Sequence, residues 1–220
     1  MKKLGIVVLL ACMLYSCSKN DGALIAGGAT ETVNARVIIS DTTVTVCVKS
    51  DTSVAVRIVL CDSAYNPVYN TGFVDSAVLT GQDLRLEFSV LPGTYNAMIF
   101  DRNSRKCVSF MSMNVFMSQR DTLSDSLSEG NDLNGTVVLP DNINLSINRM
   151  VVYFEGTVLS RNLSDSDFSF VNVPDGKYRL TALIRSSIEN NIKSLPIIVS
   201  RQVDLTGEYR SNDIQLIFSR

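Results

Sequence analysis

Phe88-Ser-Val-Leu-Pro-Gly-Thr-Tyr95 has an echo further along the chain in Phe168-Ser-Phe-Val-Asn-Val-Pro-Asp-Gly-Lys-Tyr178. Each stretch is an apolar run that meets a Pro/Gly break and ends on a tyrosine. Each tyrosine then opens a second apolar run, Tyr95-Asn-Ala-Met-Ile-Phe and Tyr178-Arg-Leu-Thr-Ala-Leu-Ile. Apolar runs of this length on both sides of a break predict strand, turn, strand. At Leu91-Pro92-Gly93 the proline presets φ, and the glycine is expected to supply a positive φ. The two tyrosines are 83 residues apart (178 − 95), which is the spacing of a duplicated domain rather than of a solenoid. Both are expected to pack an inward ring at a corner and to bind no ligand.

Outward from these corners the period stays at two. Val44, Val46 and Val48 alternate with Thr43, Thr45 and Cys47, and Val54, Val56, Ile58 and Leu60 alternate with Ala55, Arg57 and Val59. The spacing predicts two half-buried strands joined by a tight Lys-Ser-Asp-Thr-Ser connection around Asp51. Leu84, Leu86, Phe88 and Val90 predict another strand, with Arg85 and Glu87 facing out. The second half opens with Leu133-Asn-Gly-Thr-Val-Val-Leu139 and continues with a strand from Met150 to Gly156. Beyond the leader, no segment carries a 3.6-residue apolar stripe. The polar stretch 118–132 divides the halves, with 122–127 as a last strand of the first. The expected fold is all-β: two tandem antiparallel Greek-key β-sandwich domains, 32–129 and 130–220, after a leader (1–16) and a tether (17–31). The final segment, Asp213-Ile-Gln-Leu-Ile-Phe-Ser219, is expected to close the second domain as a strand paired on both sides. The alternative is an open edge that accepts a strand from a partner.

Leu133-Asn-Gly-Thr-Val, Val-Tyr-Phe-Glu-Gly-Thr157, Asp165-Ser-Asp-Phe-Ser-Phe170 and Val-Pro-Asp-Gly-Lys-Tyr178 together resemble a carboxypeptidase regulatory-like domain. The resemblance covers residues 131–220 closely and 32–128 loosely, where the opening Gly-Thr-Val is missing. It implies a small prealbumin-like β-sandwich, the non-catalytic companion of a zinc peptidase domain.

The N-terminus reads differently. Lys2 and Lys3 precede an apolar run from Leu4 to Leu14. That is the charge order and length of a secretory leader, too short for a mature membrane span. Leu14-Tyr-Ser-Cys17 resembles the bacterial lipoprotein lipobox. The resemblance implies cleavage after Ser16, lipidation of Cys17, and attachment to a membrane through that anchor. Ser18 in the next position implies transfer to the outer membrane, facing either the periplasm or the cell surface.

Composition removes several classes. The chain has no histidine and no tryptophan, and its formal net charge is −2. Without histidine, the usual proton shuttle and metal ligand near neutral pH is missing, so no enzymatic activity is expected. A near-zero net charge gives no reason to expect nucleic acid as a partner. No cofactor and no metal are expected. Of five cysteines, Cys12 lies in the leader and Cys17 is the anchor, leaving Cys47, Cys61 and Cys107. Half-buried free strand thiols are expected, with one disulfide as the alternative.

Three stretches outside the leader could carry function. Tyr65, Tyr69 and Phe73 lie in the loop-like stretch 62–73 and form a candidate ligand loop, since aromatic rings on a loop can make a binding platform. The alternative is that Tyr69 and Phe73 fold back over the sandwich edge. Asp165 and Asp167, with Ser164 and Ser166, offer oxygen ligands for a hard cation, but read as a polar hairpin. Asp-Ser/Thr-apolar triplets begin at Asp62, Asp75, Asp121 and Asp125 and resemble bacterial O-glycosylation acceptors. The sequence therefore predicts a non-catalytic, lipid-anchored cell-envelope protein with an adhesive, ligand-binding or structural role. Two more specific readings stand beside it. One is a polysaccharide- or peptide-binding accessory of an uptake complex, and the other a fimbrial anchor or assembly subunit with a protein partner.

Overall fold

The computed structural model describes residues 32–102, 108–139, 148–186, 196–206 and 214–218. They form thirteen strands: β1 (Val33–Ser40), β2 (Thr43–Asn66), β3 (Thr71–Ser89), β4 (Gly93–Asp101), β5 (Val108–Val115), β6 (Arg120–Ser126), β7 (Asn131–Val138), β8 (Asn148–Phe154), β9 (Ser160–Leu163), β10 (Asp167–Val173), β11 (Lys177–Ser186), β12 (Ile197–Asp204) and β13 (Ile214–Ile217). The fold is all-β, as expected, and every strand pair is antiparallel except β7–β13.

The first half is built on one long ribbon. β2 and β3 pair from Thr43↔Ser89 to Asn66↔Thr71, with a slip between Lys49↔Asp83 and Val54↔Gly81. On one side of the slip β2 also pairs with β1, and β1 with β6. On the other side β2 pairs with β4, and β4 with β5. Val44, Val46 and Val48 before the slip and Val56, Ile58 and Leu60 after it are all fully buried in one core. That core is completed by Val37 and Ile39 of β1, Ala97 and Ile99 of β4, and Met113 and Val115 of β5.

The expected turn at Asp51 is therefore absent. Residues 50–53 lack the Gly or Asn that a two-residue hairpin turn needs. Their extra length is taken up as a bulge in a continuous strand, buried at Ser50 and exposed at 51–53, and Gln82 Nε2 donates to the Asp51 carbonyl at 3.2 Å across it. A second correction concerns 62–73. Residues 62–66 extend β2, only 67–70 form the turn, and β3 starts at Thr71.

The second half repeats this plan with the ribbon cut in two. β7 pairs with β10, and β8 with β9, in the order and sense of the two parts of β2 and β3. β11 and β12 then follow β8 as β4 and β5 follow β2. One sheet has the order β10-β7-β13 and the other β12-β11-β8-β9. Their inner faces share a core that includes Leu133, Phe154, Leu180, Ile184 and Leu216. Among the described residues the second half has no counterpart of β1. In the first half β6 lies outside β1, whereas β13 sits directly on β7 and therefore runs parallel to it.

The paired corners are built alike. Tyr95 Oη donates to the Leu91 carbonyl and Tyr178 Oη to the Pro174 carbonyl, each at 2.8 Å and each four residues back. This is the tyrosine-corner bond of β-sandwich proteins. Gly93 does not adopt the expected positive φ. A Cβ there would lie 3.3 Å from the Tyr95 ring, and at Gly176 one would lie 2.9 Å from Tyr178 Oη. These glycines make room for the tyrosine.

Tyr178 is buried, its ring 5.2 Å from Phe154, and burial followed by the charge of Asp175 pushes its phenol well above the ordinary range. Tyr178→Phe leaves the ring packing intact and deprives the Pro174 carbonyl of this hydrogen bond. It is expected to lower the unfolding free energy by about 1–2 kcal/mol in urea titration, with the slope unchanged.

Candidate functional site

The tip of the β2–β3 hairpin carries the aromatic trio. Asn66 Oδ1 accepts the Val68 amide at 2.9 Å, Pro67 fixes the first turn residue, and Asn70 closes the turn at φ +52. Tyr65 Oη donates to Asn70 Oδ1 at 3.2 Å, and its ring lies 6.0 Å from that of Phe73. Tyr65 is buried, whereas Tyr69 and Phe73 are exposed.

Tyr65 is buried because the two halves meet there. Val59, Cys61, Tyr65 and Met98 form a third apolar cluster, with Phe100, Phe110, Val158 and Leu159 packed against it. Val59↔Met98↔Phe110 is a row across β2, β4 and β5 on the face turned away from the first core. The β8–β9 turn of the second half covers that row. The Gly156 amide donates to the Tyr65 carbonyl at 2.9 Å, and Asn96 Nδ2 donates to the Gly156 carbonyl at 2.8 Å. Asn66 Nδ2 donates to Tyr153 Oη at 3.0 Å, and the Phe110 and Tyr178 rings lie 5.2 Å apart. Gly156 has φ +71, and a Cβ there would sit 2.4 Å from the Ser63 carbonyl oxygen. Glycine is required on both counts. Among the described residues no buried side-chain polar atom is left without a partner. The sequence signalled this contact only through Glu-Gly-Thr157, read as part of a family motif.

The acidic pair lies elsewhere. Asp165 and Asp167 join Asn134, Gly135, Thr136, Phe168 and Ser169 around a shallow, open groove of about 410 Å³. Thr136 Oγ1 donates to Asp167 Oδ1 at 2.9 Å. Asn134 and Thr136 were not singled out in the sequence, although they are the outward members of the alternation at 133–137. Among the described residues no three His, Cys, Asp or Glu side chains come together as a metal site. The groove can exchange hydrogen bonds with a polar ligand.

The remaining sequence candidates fall as follows. Cys17 and Cys107 lie outside the described residues. Cys47 and Cys61 are both buried, not half-buried, at opposite ends of β2, and form no disulfide. Ser63 lies on β2, Ser76 on β3, and Thr122 and Ser126 on β6. In three of these four triplets the aspartate Oδ1 accepts the next residue's amide, at 2.7–2.9 Å, and Asp62 Oδ1 accepts the Ala64 amide. β13 buries Ile214, Leu216 and the following Phe218, but among the described strands it pairs with β7 alone and so lies at an edge. Arg201 Nη1 reaches the Gln215 carbonyl at 3.3 Å and partly blunts that edge.

No family model matches the chain, and no curated protein matches it.

Two outcomes follow from the contact between the halves. Gly156→Ala places a methyl against the Ser63 carbonyl at a positive φ and is expected to cost about 2–4 kcal/mol. The expected sign is faster alkylation of Cys61, mapped by peptide mass spectrometry; an unchanged rate would show that Cys61 is not gated by this contact.

Burial, then the charge of Asp62, raises the Cys61 thiol from 9.0 to about 12. Its folded pKa thus exceeds its unfolded value, so its contribution to stability is complete below pH 9 and is lost as pH rises toward 12. Tyr65, Tyr95, Tyr153 and Tyr178 are shifted the same way, mainly by burial. Unfolding free energy measured in urea should therefore fall above pH 9, and less steeply in Cys61→Ala.

Proposed function

We propose that this chain is a non-catalytic, lipid-anchored protein of the outer membrane, with an adhesive, ligand-binding or structural role. The observation that carries the reading is Leu14-Tyr-Ser-Cys17 at the end of an apolar run behind Lys2 and Lys3. A single acyl chain holds a protein only marginally, since each buried CH₂ contributes about 0.8 kcal/mol. A diacylglyceryl group on the Cys17 sulfur supplies two chains and hence a stable anchor. The finer architecture belongs to the same proposal: two Greek-key β-sandwich modules, the second of carboxypeptidase regulatory-like type. The duplicated strand plan and the paired Tyr95 and Tyr178 corners support it.

Two more specific roles differ in the feature they use. A polysaccharide- or peptide-binding accessory would use the polar groove beside Asp165 and Asp167 or the exposed Tyr69 and Phe73. A fimbrial anchor or assembly subunit would pair a partner's strand with an open edge such as β13. The short β7–β13 pairing favours the second role, because among the described strands β13 pairs with β7 alone and only the Arg201 side chain reaches its other side.

The anchor is tested in the native host or a lipoprotein-competent one. Cys17→Ala should remain unprocessed or move to the soluble fraction, and should lose incorporation of labelled palmitate. Label retained in Cys17→Ala would overturn the proposal.

A further inference from the structure

At one pole of the first half three connections are laced together. The β1–β2 turn holds Asp41 and Thr42, the β3–β4 crossing holds Val90 to Pro92, and the β5–β6 turn holds Phe116 to Gln119. The Val90 amide donates to the Thr42 carbonyl at 2.8 Å, and the Asp41 amide to the Gln119 carbonyl at 2.9 Å. The Ser118 amide donates to Asp41 Oδ1 at 3.0 Å, and the Phe116 amide to Gln119 Oε1 at 3.2 Å. Out of this bonded frame project Leu91, Phe116 and Met117, which are 78%, 56% and 75% exposed. The Gly93↔Val115 pairing brings Leu91 and Phe116 to the same end of adjacent strands.

The fold does not require apolar side chains there. The tyrosine corner uses the Leu91 carbonyl, not its side chain. In the second half the matching position is Pro174, which is buried, and that corner presents Asp175 and Lys177 to solvent. Scattered exposed apolar residues are ordinary, but three converging on one rigid pole are not.

We propose that this pole is a lipid-contact tip, with Leu91, Phe116 and Met117 entering the headgroup–acyl boundary of a bilayer. The inference rests on the proposed anchor at Cys17. The three side chains stand out from turns at 78%, 56% and 75% exposure, so they suit a fluid apolar phase better than a shaped protein surface. Asp41, Arg120 and Asp121 beside them give no net attraction to anionic headgroups, which leaves apolar contact as the driving term. Chain length permits the contact. From Cys17 to Val33 the chain spans at most about 55 Å. From Val33 to the tip, β1 covers only about 26 Å. The bilayer that holds the anchor is therefore within reach of the tip, and tethering keeps its local concentration high enough for a weak contact to count.

Because the chain has no tryptophan, Phe116→Trp introduces a single fluorophore at the tip. The full chain carrying it is purified from membranes and reconstituted in phosphatidylethanolamine–phosphatidylglycerol vesicles containing brominated phosphatidylcholine. The expected result is blue-shifted emission quenched about twofold or more by the bromines. Adding Leu91→Ser and Met117→Ser should reverse both effects. Val78→Trp, on an exposed site of β3, should stay unquenched. Water-like, unquenched emission from the 116 site in protein that floats with the vesicles would overturn the tip. If the protein does not float, the anchor reading fails, and the same variant is mixed with up to millimolar lipid. Quenching then upholds the tip, and no quenching overturns it. A blue shift that depends on protein concentration without lipid would assign the pole to a second copy of the chain and also overturn the proposal.

Discussion

The structure turns on a contact between two hairpin ends, in which the Gly156 amide and carbonyl are bonded to Tyr65 and Asn96. Without it, Val59, Cys61 and Met98 would be apolar side chains on the solvent face of a sheet. With it, they are fully buried, and Phe110 and Tyr178 pack against each other across the junction. Fully burying a side chain of that size contributes about 1.5–3 kcal/mol, so this small cluster matters on the scale of a protein's net stability. The bonds set the register of the contact, and the absence of a Gly156 side chain lets the two backbones approach.

The two halves show how one strand plan tolerates different continuity. In the first, a single ribbon of β2 and β3 runs through both layers and absorbs its bend as a bulge at 49–54. In the second, the ribbon is cut into β7 with β10 and β8 with β9, and the layers become separate sheets. Both keep the tyrosine corner, because the chain leaves one layer and enters the other there, from β3 to β4 and from β10 to β11, and the phenol bond fixes that crossing. Where no described strand matches β1, a short parallel strand takes its place on β7, leaving the first half with the more extensively paired layer among the described residues.

The strands around Tyr95 and Tyr178 were legible because alternation and turn residues agreed at those places. The bulge at 50–53 was not. A polar Ser-Asp-Thr-Ser run reads as a turn, and only the valine parity on either side, both inward, reveals a continuous strand. Tyr65 was singled out for the right reason, an aromatic ring near a turn, but its ring serves the junction between the halves. Alternation alone could not distinguish an outward face that meets solvent from one that meets another part of the chain, and so Val59, Cys61 and Met98 went unrecognised. The groove at Asp165 and Asp167 was half visible, since its other wall comes from a strand distant in sequence.

The proposed outer-membrane lipoprotein role rests on the N-terminal residues, and the described strands supply the unit that such an anchor would carry. Through the Gly156 junction the two halves share a buried surface and stabilise each other. Hydrogen exchange followed by mass spectrometry across a urea series tests this directly. The predicted result is that amides at 59–61 and 96–98 lose protection at the same urea concentration as those at 150–154 and 178–184. Opening of 150–184 at lower urea, with 59–61 and 96–98 still fully protected, would contradict it.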